Sequence, residues 1–223
     1  MKKSIIVAID EVDSITFKKV VDSLDNNLCV IKIGSVSFNA IGHDAIFYAA
    51  SKGFNIFLDL KLHDIPNTVK KSIESLVKLP IHMLTIHVSG GKKMMEYAMD
   101  AIKGSNIKVF GVTALTSLSD KDTNRIYKRD AANQVETMLD LAEESGIDGV
   151  VCSPHELHLV AARDSLLSIT PGIRLRNSDD DQSRVMSPKE AIDLGANYIV
   201  VGRPITQAQD IKDALQEIHN SVQ

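Results

Sequence analysis

Four charged residues occupy stretches where a buried apolar run should exclude charge, and a fifth follows directly. Asp10 closes SIIVAID, Lys32 interrupts CVIKIG, Asp59 and Lys61 interrupt IFLDLKL, and Asp64 follows directly in HDIPNT. Taking an unpaired charge out of water is very costly, and pairing only partly offsets that cost. Two lysines and two aspartates at similar depth therefore predict an alternating ionic network. Asp64, three residues past Lys61, is a candidate third carboxylate around that lysine. An ammonium held this way stays protonated. It can stabilise negative charge developing on a bound molecule and then give up its proton. The competing reading is a structural salt-bridge cluster, with Lys32 at a strand edge. On that reading Asp64 is a helix N-cap and Thr68 a first-turn residue.

The far end of the chain offers an anion site. TPGIR (Thr170–Arg174) and VGRPIT (Val201–Thr206) each set a glycine close to an arginine. Gly172 and Gly202 let a ligand approach the backbone, and Gly202 can offer an N–H. Arg203 can hold a phosphate through two parallel hydrogen bonds. Gln182, in the polar stretch RLRNSDDDQSRVMS, can add an amide donor. Ordinary loop glycines beside a surface arginine are the alternative. His82, His87, His155 and His158 lack zinc-binding spacing, and His63 is read as packing or facing solvent. Asp179–Asp181 lack the Gly and Glu of a calcium loop and read as a solvated charge run.

Eight short apolar runs must position these residues: Ser4–Asp10, Cys29–Ser35, Asn55–Leu62, Met83–Val88, Lys108–Leu115, Gly149–Ser153, Ser168–Ile173 and Tyr198–Gly202. Their nearly continuous apolar character suits strands buried on both faces. Between them run single apolar stripes at helical spacing, such as Phe17-Val20-Val21-Leu24 and Val135-Met138-Leu139-Ala142. Asp13/Ser14 and Ser187-Pro188 signal helix starts; Gly53, Gly104, Gly146 and Gly195 signal stops. Eightfold β-then-α alternation predicts a parallel (β/α)8 TIM barrel over residues 1–223 as one domain. A doubly wound sheet is the alternative, but no G-x-G-x-x-G follows the first run. Strand alternation sets Leu58, Leu60 and Leu62 toward the helices, and Asp59 and Lys61 inward near the C-terminal mouth.

Composition excludes more than it identifies. The formal net charge of −4 argues against a nucleic-acid or membrane-surface binder, which needs a basic face. Cys29 and Cys152 cannot build a disulfide framework and read as buried thiols of a reducing compartment. The apolar run before Asp10 is too short for a signal peptide, and no run approaches the ~20 residues of a membrane span. The expectation is a soluble cytoplasmic protein.

DLKLHDIPNT (Asp59–Thr68) matches D-x-K-x-x-D-I-P-x-T, and on it the chain resembles the orotidine 5'-phosphate decarboxylase family. VAID, IKIG, LTS (Leu115–Ser117), TPGIR with Pro171, DQ (Asp181-Gln182) and VGRPIT follow in the family's order. The resemblance implies decarboxylation of orotidine 5'-monophosphate to uridine 5'-monophosphate without metal or organic cofactor. It also implies a homodimer with active sites at the subunit interface. Lys61 would protonate C6 of the pyrimidine, and Asp59 would lie near the substrate carboxylate. Asp64, Ile65 and Thr68 would come from the partner chain. Asp10 and Lys32 would contact the ribose, and Thr116 and Ser117 would contact the base or close the site. Gln182, Gly202 and Arg203 would hold the phosphate, with Arg174 opening the closing loop. A sister barrel, the metal-dependent sugar-phosphate decarboxylases and aldolases, resembles this pattern but carries a Glu as magnesium ligand where Lys32 stands. A non-catalytic nucleotide-binding barrel is the third reading; it would be favoured by loss of a charged partner, and the full set is present.

Overall fold

A computed structural model describes residues 3–174 and 186–223. Eight parallel strands close a barrel in chain order: β1 (Ile5–Ile9), β2 (Cys29–Gly34), β3 (Ile56–Leu62), β4 (Met83–His87), β5 (Lys108–Val112), β6 (Gly149–Val151), β7 (Leu167–Thr170) and β8 (Tyr198–Val201). Seven fall inside their predicted runs, and β7 begins one residue before its own, at Leu167. Closure by β1–β8 pairing, Ile5 opposite Ile199, leaves no edge on which Lys32 could escape into solvent.

Helices alternate with the strands: α1 (Ser14–Ser23), α2 (Ser35–Ile41), α3 (His43–Ser51), α4 (Pro66–Leu76), α5 (Lys92–Ala101), α6 (Asp120–Tyr127), α7 (Ala131–Ser145), α8 (Leu157–Ala161), α9 (Pro188–Asp193), α10 (Arg203–Thr206) and α11 (Ile211–Ser221). The predicted starts hold. The Asp13 carboxylate accepts from the Thr16 N–H, and Ser187 and Glu190 form a reciprocal capping box before Pro188. One start is shifted. Ile65, not Asp64, occupies the N-cap of α4, and the Asp64 carboxylate instead accepts from the Ile65 N–H at 2.6 Å.

Strand alternation divides the apolar side chains into two cores. Ile5, Val7 and Ile9 face outward and pack with the helices. Ile6 and Ala8 face inward with Val30, Phe57, Met83, Phe110, Ile169, Tyr198 and Val200. Phe110 meets Phe57 and Tyr198 edge-on, with ring centroids 6.4 and 6.2 Å apart. This aromatic plug fills the barrel interior and forms the floor on which the site rests. Both cysteines are buried as expected, and burial pushes each thiol up to about 12.

Candidate active site

Above the plug lies a cavity of about 510 Å³, within the range of small-ligand pockets. Lys32, Asp59 and Lys61 line it in a continuous ionic ladder with Asp10. The Lys32 ammonium lies 3.6 Å from Asp10 and 3.4 Å from Asp59, and Lys61 Nζ contacts both Asp59 oxygens at 2.9 and 2.8 Å. Pairing across the barrel explains the assembly. Ala8 sits opposite Lys32, and Gly34 opposite Asp59. At Gly34 an added Cβ would stand 2.9 Å from Lys32 Nζ, so the missing side chain leaves room for the ammonium.

Asp59 is the hub of the ladder, 8% exposed. Burial acts to raise its carboxyl. The Lys32 and Lys61 ammoniums, with hydrogen bonds from Lys61 and Thr85, outweigh that and hold it below the usual carboxylate range. Thr85 was not anticipated from the sequence. Its buried hydroxyl donates to Asp59 Oδ1 at 2.9 Å and accepts from the Lys61 N–H at 2.9 Å. The available signal was a lone polar residue inside the apolar run MLTIH.

Simple alternation fails at Lys61. Leu58 pairs with Leu84 and Leu62 with Ile86, so four steps along β3 oppose two along β4. The strand bulges between these pairs, and Lys61 takes a φ of 50°, in the left-handed region. Among the described residues Lys128 is the other non-glycine with positive φ, and it ends a helix. A bulge re-aims side chains and is common beside active sites. Here it turns the Lys61 ammonium back onto Asp59. Leu60 and Leu62 still pack toward the helices, as expected.

Opposite the ladder, Pro171, Gly172, Arg174, Gly202 and Arg203 line the cavity, together with Thr116. Gly172 has a φ of 80°, which a side chain would strain. Arg174 is buried, and its guanidinium donates to the Ile173 carbonyl at 2.9 Å. Glu11, Thr206 and Gln207 also line the wall and escaped the sequence reading. Ser117 is exposed and stands outside the lining, and Gln182 lies outside the described residues.

Asp64, Ile65 and Thr68 are exposed and line no part of this cavity. Asp64 makes no ion pair with Lys61 of its own chain among the described contacts, so the third carboxylate is not supplied from within the chain. His63 packs on His87 with ring centroids 5.1 Å apart. No group of three or more potential metal-ligating His, Cys, Asp or Glu occurs among the described residues.

The family description "Orotidine 5'-phosphate decarboxylase / HUMPS family" matches residues 3–218. The chain belongs to that family. An orotidine 5'-phosphate decarboxylase of Saccharophagus degradans is 41% identical over 220 residues, covering 96% of this chain and 92% of the relative. One of Ehrlichia chaffeensis is 45% identical over 203 residues, covering 89% of this chain and 88% of the relative. The crystal structure of the Lactobacillus acidophilus orotidine 5'-phosphate decarboxylase superposes with a TM-score of 0.87 at 37% identity, over 99% of each chain.

Proposed function

We propose that this single barrel domain carries out its family's carboxy-lyase reaction at the Asp10–Lys32–Asp59–Lys61 ladder. Orotidine 5'-monophosphate loses CO2 and becomes uridine 5'-monophosphate, the last step of de novo pyrimidine nucleotide biosynthesis. The observation that carries this reading is the Lys61 ammonium, held by both oxygens of a nearly buried aspartate at the wall of a nucleotide-sized cavity.

Breaking the C6–carboxyl bond leaves its electron pair on C6, where the pyrimidine offers no adjacent electron sink. Catalysis then depends on positive charge fixed before the substrate arrives. Lys61 stabilises the developing carbanion and transfers its proton to C6. Asp59 lies beside the departing carboxylate, and their repulsion is relieved as CO2 leaves. Asp10 and Lys32 bind the ribose, Thr116 contacts the base, and Ser117, outside the lining, closes the site over it. Pro171, Arg174, Gln182, Gly202 and Arg203 take the phosphate end, whose binding energy offsets the cost of crowding charge at C6.

Asp64, Ile65 and Thr68 serve the site of a partner subunit in a homodimer, a reading supported by their exposure and their absence from the lining of their own cavity. The reaction needs no metal or organic cofactor. Asp59 is already engaged by two ammoniums, and Lys32 would repel a divalent cation, which disfavours the metal-dependent sister chemistry. We assign the enzyme to the cytoplasm, as a supplier of pyrimidine nucleotides. No helix among the described residues is long and apolar enough to cross a membrane.

The test is turnover of orotidine 5'-monophosphate by EDTA-treated protein, followed by pyrimidine absorbance. Full activity is expected. No turnover, or turnover only after Mg2+ is added, would overturn the reading.

A further inference from the structure

The Asp10 end of the ladder has the weakest hold on its own charge. Its carboxylate is 55% exposed and its ionic partner Lys32 is 3.6 Å away, so side-chain contacts do little to fix its direction. The backbone on either side is fixed instead. The Ser37 hydroxyl, fully buried on α2, lies 3.0 Å from the Ile9 carbonyl and 2.7 Å from the Glu11 carbonyl, the two residues flanking Asp10. A hydroxyl has one hydrogen to donate, shared here between two acceptors of another βα unit. A helical serine more often turns back onto its own helix. Ser145 does so, donating to the Leu141 carbonyl at 2.6 Å. The corner that leads into Ser37 also packs closely on Asp10, since a Cβ on Gly34 would stand only 3.3 Å from Asp10 Oδ1.

We infer that Ser37 is a positioning residue whose hydroxyl clamps the carbonyls on both sides of Asp10 and so aims that carboxylate at the substrate's ribose. Ser37 itself touches no substrate. The inference rests on the role proposed above for Asp10. It sets α2, a helix on the outside of the barrel, in control of one wall of the cavity.

The test is a double-mutant cycle on the full chain, reading kcat and KM for orotidine 5'-monophosphate. The variants are Ser37→Ala, Asp10→Asn and the pair together. Ser145→Ala serves as the control for deleting a buried helix hydroxyl away from the cavity. Ser37→Ala is expected to lower kcat/KM about tenfold, divided between kcat and KM as in Asp10→Asn. The double variant should match Asp10→Asn within about twofold, and Ser145→Ala should keep the parent kinetics. Additive losses, or parent kinetics in Ser37→Ala, would overturn the clamp alone. An Asp10→Asn variant as active as the parent would overturn the Asp10 assignment and the clamp with it. An inactive parent would overturn the function and every inference built on it. If Ser37→Ala fails to fold, Ser37→Cys, which keeps a weak donor in similar volume, enters the same cycle.

Discussion

At the residue scale, Asp59 works as a counter-ion shared by two lysines. Replacing it with Asn leaves two ammoniums facing each other with no anion between them. Asp59→Asn is expected to lower the unfolding free energy by about 3 kcal/mol at neutral pH. The folded carboxyl is depressed, so its stabilisation is complete above the unfolded value of ~3.9 and is lost as pH falls through the folded one. Urea titrations of parent and Asp59→Asn should therefore begin to converge below about pH 3.9 and meet once the pH lies below the folded carboxyl's own value; a gap that did not narrow as the pH fell from about 3.9 would contradict the assignment. Lys61→Ala should remove turnover while leaving the far-ultraviolet circular dichroism of the barrel intact. Residual activity above about one hundredth of the parent would mean that another group delivers the proton. The charged set was legible because each residue broke an apolar run. Thr85 and Ser37 were not, since neutral hydroxyls in such segments carry no comparable signal.

At the element scale, two glycines separate function from fold. On β6, a Cβ at Gly149 would lie 2.2 Å from the Leu167 backbone oxygen and 2.8 Å from the Phe110 ring, and neither can step aside freely. Gly149→Ala should destabilise the barrel by about 3 kcal/mol, visible as a lowered melting temperature. At Gly34 the nearest atom is the tip of a flexible lysine, and the backbone there is extended, at φ −94°. Gly34→Ala should melt within a few degrees of the parent yet lose activity about tenfold, because Lys32 must move. Equal effects of the two substitutions would refute this division. The strands and several caps could be read from period and end signals. The bulge in β3 could not, because LDLKL alternates perfectly on paper while Lys61 adopts a left-handed backbone that only its packing against β4 reveals.

At the scale of the whole molecule, the barrel accounts for the ladder, while the proposed function assigns Asp64 and Ile65 to the site of a second copy. Ile65 is an apolar side chain 67% exposed at the start of α4. Lys61→Ala and Asp64→Ala chains, each inactive alone, should regain activity when mixed, since one of the two shared sites in a mixed dimer is intact. A demonstrated heterodimer without activity would refute the exchange. Eightfold alternation made the architecture legible from the chain, but the contribution proposed across subunits would leave no mark in the period of one sequence.

Beside the proposed phosphate end, Ile173 and Met186 form a parallel bridge, reinforced by the Arg174 N–H donating to the Met186 carbonyl at 3.0 Å. The two ends of the intervening stretch are thus tied together before α9 begins. In effect the bridge is a clasp: it hands the barrel wall over to the outer layer at a fixed register, so that Arg174 and the capping box that starts α9 keep their places relative to one another.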